Sequence, residues 1–550
     1  MGLGYLRILP LQSHHREGCY YLSMIYPSIL RTAALPALVL SLTFCSKAAP
    51  PPTPAPQGPK PTLLLFITVD QMRPDYYDRF KGQLTGGLAR LFQNGAVFTD
   101  AHHDHAITET APGHATLMSG RFPRSTGITR NLAGVNSTDW PLIGAKDLGA
   151  APFRFRGTTV TDWLTAVDPR TRAFSVSAKD RAAILPIGRS KQQVYWYANN
   201  GTFTTSTWYR DTLPTWVSDF NALRLPHRYA GRAWTTLRPA ADYPEIDSIP
   251  DEGFGRNFMF PHQFPADSAA AAAQARFTPM IDEMTLRFAM QGLRQLNLGR
   301  NGSTDVMAIS LSGTDYVGHF YGPESTEQHD QIVRLDRVLG AFLDTLYTLR
   351  DSNQVIVALS ADHGGGLIPQ LHGGLRVDFA GPFDAAKAVV KAAGGDTTAV
   401  DMESGAFFVD PAKLGPNGLT VDRVTQAFIT AAQAVPGVLR VDRFTDLAKR
   451  DLHTDKIARR WLQMFPDDML PAAVVTLREG DIYNYPNVAT HGSPHDYDSH
   501  VPLIFYGAPF RPGRYPGFVR TVDIAPTLAV VLHVKPTEPL DGRVLGQAIR

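Results

Sequence analysis

Short apolar runs rich in β-branched residues alternate along this chain with longer segments of helical periodicity, and few folds accept that alternation. The runs are 62–69 (TLLLFITV), 173–177 (AFSVS), 305–311 (DVMAISL), 354–359 (QVIVAL) and 501–506 (VPLIFY). A strand that is apolar at nearly every position has no face to give to water, so each is expected to be a buried strand of a parallel sheet. Between them, 279–298 and 327–350 space apolar side chains at the helical period with charges opposite, and the second feeds into the strand at Gln354. The pattern predicts an α/β fold: a doubly wound, mostly parallel sheet with helices on both faces, whose ligands gather beyond the carboxyl ends of the strands. Two stretches break the alternation. One, about 195–264, is rich in aromatics, Pro, Thr and Asn; the other, about 378–471, holds a strand-like GAFFV and a helix-like 421–434. Both are expected to be insertions capping the sheet. The alanine run 269–273 reads as an ordinary helix start. No internal repeat is visible.

Charge excludes some functions. The 550 residues carry 53 Lys plus Arg against 51 Asp plus Glu, which argues against a surface built to track nucleic acid and against long disorder. The two cysteines, Cys19 and Cys45, both precede residue 50. The rest of the chain therefore has no thiol for a disulfide or a nucleophile, and any metal must be held by His and carboxylate.

Residues 31–49 (RTAALPALVLSLTFCSKAA) place a positive charge before an apolar run of about 14 residues and then small residues, which matches a secretory signal. A spanning helix would need about 20. The 23 residues before Met24 make an unusually long preamble with Arg7, Arg16 and Glu17, so Met24 is the expected start and Met1 the alternative. Cys45 raises a lipoprotein alternative, from which Phe44 departs because a small residue is wanted before the cysteine. The expected organisation is a leader at 1–49, an extended Pro-rich linker at 50–61 and one domain from 62 to 550. The protein is expected to be exported, periplasmic or secreted, and to touch a membrane only if lipidated at Cys45.

Chemistry clusters where the strands end. The first run ends in Asp70; the third leads into SGTDYVGH, with Asp315 and His319; the fourth leads into SADHGG, with Asp362 and His363. A fourth group, THGSPHDYDSH, puts His491 shortly before the strand at Val501. Taken singly, an Asp after a strand is as often a helix cap or turn former. Together they bring too many ligands for one tetrahedral ion, which points to two metals of the kind that clamp both oxygens of an in-line displacement at phosphorus. His102, His103 and His105 lack that setting beside the expected strands and read as structural or supporting residues. In Thr108-Glu109-Thr110-Ala111-Pro112-Gly113-His114, Pro112 suits a helix's first turn, which sets Thr110 near an N-terminus that favours an anion. Its hydroxyl can serve as a nucleophile if metal removes its proton; on local sequence alone, Thr108 or Thr110 is a simple N-cap.

The motifs VDQMRPDY, TETAPGHATLMSGRFPRSTGI, SGTDYVGH, SADHGG, HGSPHDYDSHVPLIFYG, VRTVDIAPTLAVVL and GRVLG, in that order, resemble the alkaline phosphatase superfamily. Within it the chain looks closest to the bacterial alkaline phosphatases that use Thr as nucleophile, relatives of the nucleotide pyrophosphatase/phosphodiesterases. The resemblance implies two Zn²⁺ ions, one held by Asp70, Thr110, Asp362 and His363, the other by Asp315, His319 and His491, with His495 and His500 as neighbours to be weighed against His491. It implies that Thr110 becomes phosphorylated, that Asn131 binds a phosphoryl oxygen, and that Lys179 and Arg181 in SAKDRAAILP face the remaining oxygens. Without the resemblance, Lys179 and Arg181 would read as a solvated basic turn. The expected function is that of an exported, zinc-dependent phosphomonoesterase taking small phosphate monoesters and releasing inorganic phosphate. The alternatives are a phosphodiesterase or nucleotide pyrophosphatase on the same scaffold, and a non-catalytic metal- or phosphate-binding surface protein, which would be expected to lack part of the constellation. His and carboxylate ligands also accept Mn or Fe.

Overall fold

The strand Leu63–Val69 is buried at every position and pairs in parallel with Asp305–Leu311 on one side and Val355–Ser360 on the other. The computed structural model that shows this describes residues 60–550, Arg256 excepted. The leader with Cys19, Met24 and Cys45, and the Pro-rich segment up to residue 59, lie outside the described residues. Along Leu63–Val69 the side chains alternate between two cores: Leu63, Leu65 and Ile67 pack in one, Leu64 and Phe66 in the other. Helices cover both faces, which is why the run carries almost no polar residue. Leu88, Phe288 and Leu339, from Gly87–Asn94, Met280–Gln295 and Thr326–Leu349, fill the first core. Ala115, Trp163 and Leu528, from Thr110–Leu117, Val160–Val167 and Ile524–Val531, fill the second.

Across the sheet the strands run Gly513–Tyr515, Ala96–His102, His500–Tyr506, Val355–Ser360, Leu63–Val69, Asp305–Leu311, Ala173–Ser177, Gln193–Tyr197 and Phe203–Thr204, with Val519–Arg520 also pairing to Ala96–His102. The sheet is mostly parallel and doubly wound, as expected. One strand departs from the expected direction: His500–Tyr506 is antiparallel to both neighbours. An unbroken apolar run reports burial on both faces and says nothing of direction. The consequence is functional, because the start of this strand lies at the edge where the two strands beside it end. Residues that precede it, His491 among them, are thereby directed to that edge; a parallel strand would have begun at the opposite one.

Three further differences follow from burial. Ala96–His102 was not among the expected strands, since Thr99 and Asp100 interrupt its apolar pattern and are only half-buried. The stretch from about 195 does not leave the sheet at once: Gln193–Tyr197 pairs in parallel with Ala173–Ser177, and Phe203–Thr204 follows antiparallel. Its aromatics Tyr195, Trp196 and Tyr197 are core residues. The second stretch passes 471, because Ala473–Leu477 completes a separate four-stranded antiparallel sheet with Val400–Glu403, Ala406–Val409 and Val438–Arg443. Phe407 of that sheet stacks on Phe428 of helix Val421–Ala432 at 3.9 Å. Among the described residues no helix is long and apolar enough to cross a membrane.

Candidate active site

Three adjacent parallel strands each deliver a carboxylate to the same edge. Asp70 directly follows Leu63–Val69, Asp362 lies just beyond Val355–Ser360, and Asp315 sits in the helix Gly313–Tyr321 that follows Asp305–Leu311. All three are buried. His319, one helical turn after Asp315, brings its Nε2 to 3.3 Å from Asp315 Oδ1. His363 Nε2 lies 3.5 Å from both Asp70 Oδ1 and Asp362 Oδ2. His491 Nε2 is 3.4 Å from Asp315 Oδ1, and its ring stacks on His363 at 3.5 Å. His495 and His500 bond instead to the carbonyls of Leu477 and Thr99.

The histidines share one arrangement. In each the Nδ1 faces a backbone carbonyl, Gly364 for His363, Ala489 for His319 and Thr108 for His491, at 2.8–2.9 Å. With Nδ1 turned to a carbonyl, Nε2 is the atom turned to the carboxylates, the disposition of imidazoles that ligate metal; Asn487 Nδ2 also lies 2.9 Å from His319 Nδ1, and against burial Asp315 holds the His491 pKa above its ordinary value. Burial holds the His363 pKa well below the usual value, which keeps the imidazole neutral. Burial, with Asp315 and Asp362 nearby, pushes the Asp70 carboxyl well above its ordinary range. Asp315 is held low: burial opposes this, but Lys179 and then His319 outweigh it. The Lys179 ammonium, 2.5 Å from both Asp70 and Asp315, is a single cation set among three buried carboxylates. Asp70 Oδ1, Asp315 Oδ1 and His363 Nε2 have no hydrogen-bond partner. Buried polar atoms left in that state are costly, and these face one another, so the residues fit cations bound between them. Ligand atoms of Asp70, Asp362 and His363 converge within 4.8 Å, as do those of Asp315, His363 and His491.

Thr110 is the first residue of helix Thr110–Leu117, and neither it nor Thr108 caps that helix. Gly113 lets the helix approach: a Cβ there would stand 2.0 Å from the Asp362 carbonyl oxygen. Lys179 Nζ lies 3.4 Å from Thr110 Oγ1, whereas the Thr108 hydroxyl donates to the Ser493 carbonyl at 2.9 Å. Asn131 Oδ1 accepts the Ala111 N–H at 2.9 Å, which fixes its carboxamide beside the helix N-terminus. Arg181 pairs with Asp180 at 3.5 Å, and its buried Nε has no hydrogen-bond partner. Burial alone would lower its pKa; Asp180, Tyr316 and then Asp70 and Asp315 outweigh it.

The other histidines lie around this cluster. His103 Nε2 bonds the carbonyl of Ala361, the residue before Asp362, and His105 packs edge-on against His103 at 5.2 Å. His102 bonds Ser499 and Asp100 and stacks on His500. Two contributors escape a reading of the sequence. His114 Nδ1 stands 3.1 Å from Asp362 Oδ2, and its Nε2 bonds Ser310 Oγ at 2.9 Å. Its position four residues after Thr110, on the same helix face, is the only local signal for it. Glu109 accepts the Asn131 N–H at 2.8 Å.

The model of the type I phosphodiesterase / nucleotide pyrophosphatase family matches residues 64–393. Alkaline phosphatase PhoV of Synechococcus elongatus is 31% identical to this chain, over 93% of it and 98% of the relative. Alkaline phosphatase PhoK of a Sphingomonas species is 32% identical, over 88% and 91%. The crystal structure of alkaline phosphatase PafA superposes with a TM-score of 0.82 at 28% identity, covering 90% of this chain and 100% of the other. A family match over residues 64–393, relatives aligned along most of both chains and a common fold have one explanation: the chain belongs to the type I phosphodiesterase / nucleotide pyrophosphatase family, within the alkaline phosphatase superfamily.

Proposed function

We propose that the chain is an alkaline phosphatase: an exported, zinc-dependent phosphomonoesterase that takes small phosphate monoesters, releases inorganic phosphate and works through a phosphothreonine at Thr110. The observation that carries this reading is the Lys179 ammonium 3.4 Å from the Thr110 hydroxyl, at the N-terminus of a helix and beside the carboxylate and imidazole cluster. Asp70, Thr110, Asp362 and His363 would hold one zinc ion, and Asp315, His319 and His491 the other. Bound there, the ions would lower the pKa of the threonine hydroxyl and stabilise charge on the attacking and leaving oxygens. The protein's own groups do the rest. Thr110 Oγ1 gives up its proton to solvent and bonds to phosphorus as the bond to the leaving oxygen breaks, and that oxygen takes a proton from solvent and departs as the alcohol. Asn131, Lys179 and Arg181 hold the phosphoryl oxygens at the N-terminus of the helix, where the dipole favours an anion. Water then attacks the same phosphorus, which frees Thr110 and inorganic phosphate.

The names of the relatives support a phosphatase. A solved variant of PafA supports the residue roles: it is altered at a threonine, an asparagine, a lysine and an arginine. Its threonine-to-asparagine and lysine-to-arginine intervals are those that separate Thr110 from Asn131 and Lys179 from Arg181. The family description favours a second reading, a phosphodiesterase or nucleotide pyrophosphatase, and charge decides between the two. A monoester carries one more negative charge than a diester, so cations aimed at the outer oxygens favour its transition state.

The test is the pair of initial rates for an aryl phosphate monoester and a matching diester, in wild type and Lys179→Ala. A lost charge-assisted contact is worth roughly 1.5–3 kcal/mol, or about 10- to 150-fold in rate. The monoester-to-diester ratio of kcat/KM is expected to fall at least about tenfold in the variant. Equal losses on both substrates would favour the diesterase. Export, inferred from the leader at 31–49, is tested by the mature N-terminus: it should begin beyond the apolar run and be found outside the cytoplasm. A soluble cytoplasmic protein with an intact Met1 or Met24 would overturn it.

A further inference from the structure

The smaller sheet reaches the residue next to Thr110. Val400–Glu403 and Ala406–Val409 pair antiparallel with Glu403 opposite Ala406, leaving Ser404 and Gly405 as a two-residue turn. Both have positive φ, 49° and 84°, as a hairpin turn of this length favours. Gly405 has no alternative, since a Cβ would stand 2.7 Å from the Val475 carbonyl oxygen. Ser404, in a conformation better suited to glycine, places its hydroxyl on Glu109 and donates to Oε1. The other oxygen, Oε2, accepts the Asn131 N–H at 2.8 Å, and Asn131 Oδ1 accepts the Ala111 N–H at 2.9 Å. A second tie runs alongside: Arg130 Nε pairs with Glu403 Oε2 at 2.8 Å, and its guanidinium lies 4.8 Å from the Phe408 ring centre.

These bonds form an unbroken path from the hairpin tip through Glu109 and Asn131 to the first turn of the Thr110 helix. Both Glu109 carboxylate oxygens are engaged in it, one by a backbone N–H and one by a hydroxyl from a different sheet. A carboxylate held in that way is suited to positioning rather than to proton transfer.

We propose that Glu109 is a positioning residue, which together with Ser404 locks the Asn131 loop so that its carboxamide faces the phosphoryl group. The proposal rests on the reading of Asn131 as a phosphoryl ligand. It gives the separate four-stranded sheet a part in catalysis, because a loop free to shift by an ångström loses orientation at the reacting centre.

The experiment compares Glu109→Ala, Glu109→Gln, Ser404→Gly, Asn131→Ala and the double variant Glu109→Ala/Asn131→Ala. The readouts are kcat/KM for an aryl phosphate monoester, the inhibition constant of inorganic phosphate, and metal content. Glu109→Ala is expected to lower kcat/KM about tenfold and to weaken inhibition by phosphate, with metal content kept. Glu109→Gln, whose amide still accepts from Asn131 and meets Ser404, should recover to within about threefold of wild type. Ser404→Gly, which relieves the positive φ while deleting the hydroxyl, should lose about threefold without loss of thermal stability. In the Asn131→Ala background, Glu109→Ala should cost less than about twofold, because the two act through one contact. A full multiplicative loss in that background, with Asn131→Ala itself harmful, would overturn the positioning role alone. So would Glu109→Gln as poor as Glu109→Ala. An Asn131→Ala enzyme with unchanged kcat/KM and phosphate inhibition would overturn the phosphoryl-ligand reading beneath it.

Discussion

Thr110→Ala is expected to lose at least about 10⁴-fold in kcat/KM, equivalent to about 5.5 kcal/mol of transition-state stabilisation, because no other group can take over the covalent step. The fold should survive the change. Thr110 is buried at the first position of its helix, where alanine is accepted, and its hydroxyl is not the helix cap. Much of the metal should also remain, since Asp70, Asp362 and His363 are untouched. Thr110→Ser keeps the hydroxyl and should stay within about tenfold of wild type. Mass spectrometry of enzyme quenched in acid during turnover should find phosphate on Thr110. The neighbouring candidate, Thr108, has its hydroxyl committed to the Ser493 carbonyl at 2.9 Å, so phosphate on Thr108 would show that the nucleophile had been misassigned. A near-normal rate for Thr110→Ala would do the same.

Removal of metal should have an effect of similar size. Asp70, Asp315 and Asp362 are three buried carboxylates with one ammonium, that of Lys179, among them. Without divalent cations this charge is poorly compensated, and the Asp70 carboxyl is pushed up by burial and by its two acidic neighbours. Chelation of the holoprotein is therefore expected to reduce turnover by at least about 10³-fold and to lower Tm, and added zinc should restore both. Asp362→Ala should reduce metal content by about one ion per chain as well as rate, because the ligand atoms of Asp362, Asp70 and His363 converge within 4.8 Å. Full activity in exhaustively metal-free protein would overturn the two-metal assignment.

The fold class could be read from the chain because burial on both faces leaves a local record: Leu63–Val69, Asp305–Leu311 and Val355–Ser360 are apolar almost throughout, and each is a central strand. The record fades at the sheet's margins. Ala96–His102 exposes Thr99 and Asp100 in part and so loses the pattern, while the aromatics of Gln193–Tyr197 resemble those of the irregular stretch that follows.

The sequence by itself determined that strands alternate with helices, that carboxylates and imidazoles stand just past the strand ends, and that no thiol serves the body of the chain. These are properties of composition and period, legible within a few residues. Only the tertiary structure decided the direction of His500–Tyr506, and that His491, rather than His495 or His500, stands beside Asp315. It also decided that Thr110 rather than Thr108 lies next to Lys179, that His114 backs Asp362, and that a hairpin some 295 residues away in sequence ties Glu109 to Asn131. The physical reason is the same in each case. Side-chain period reports which face is buried, but pairing direction and contacts between distant loops follow from how crossover connections close the chain on itself, and no local pattern encodes that closure.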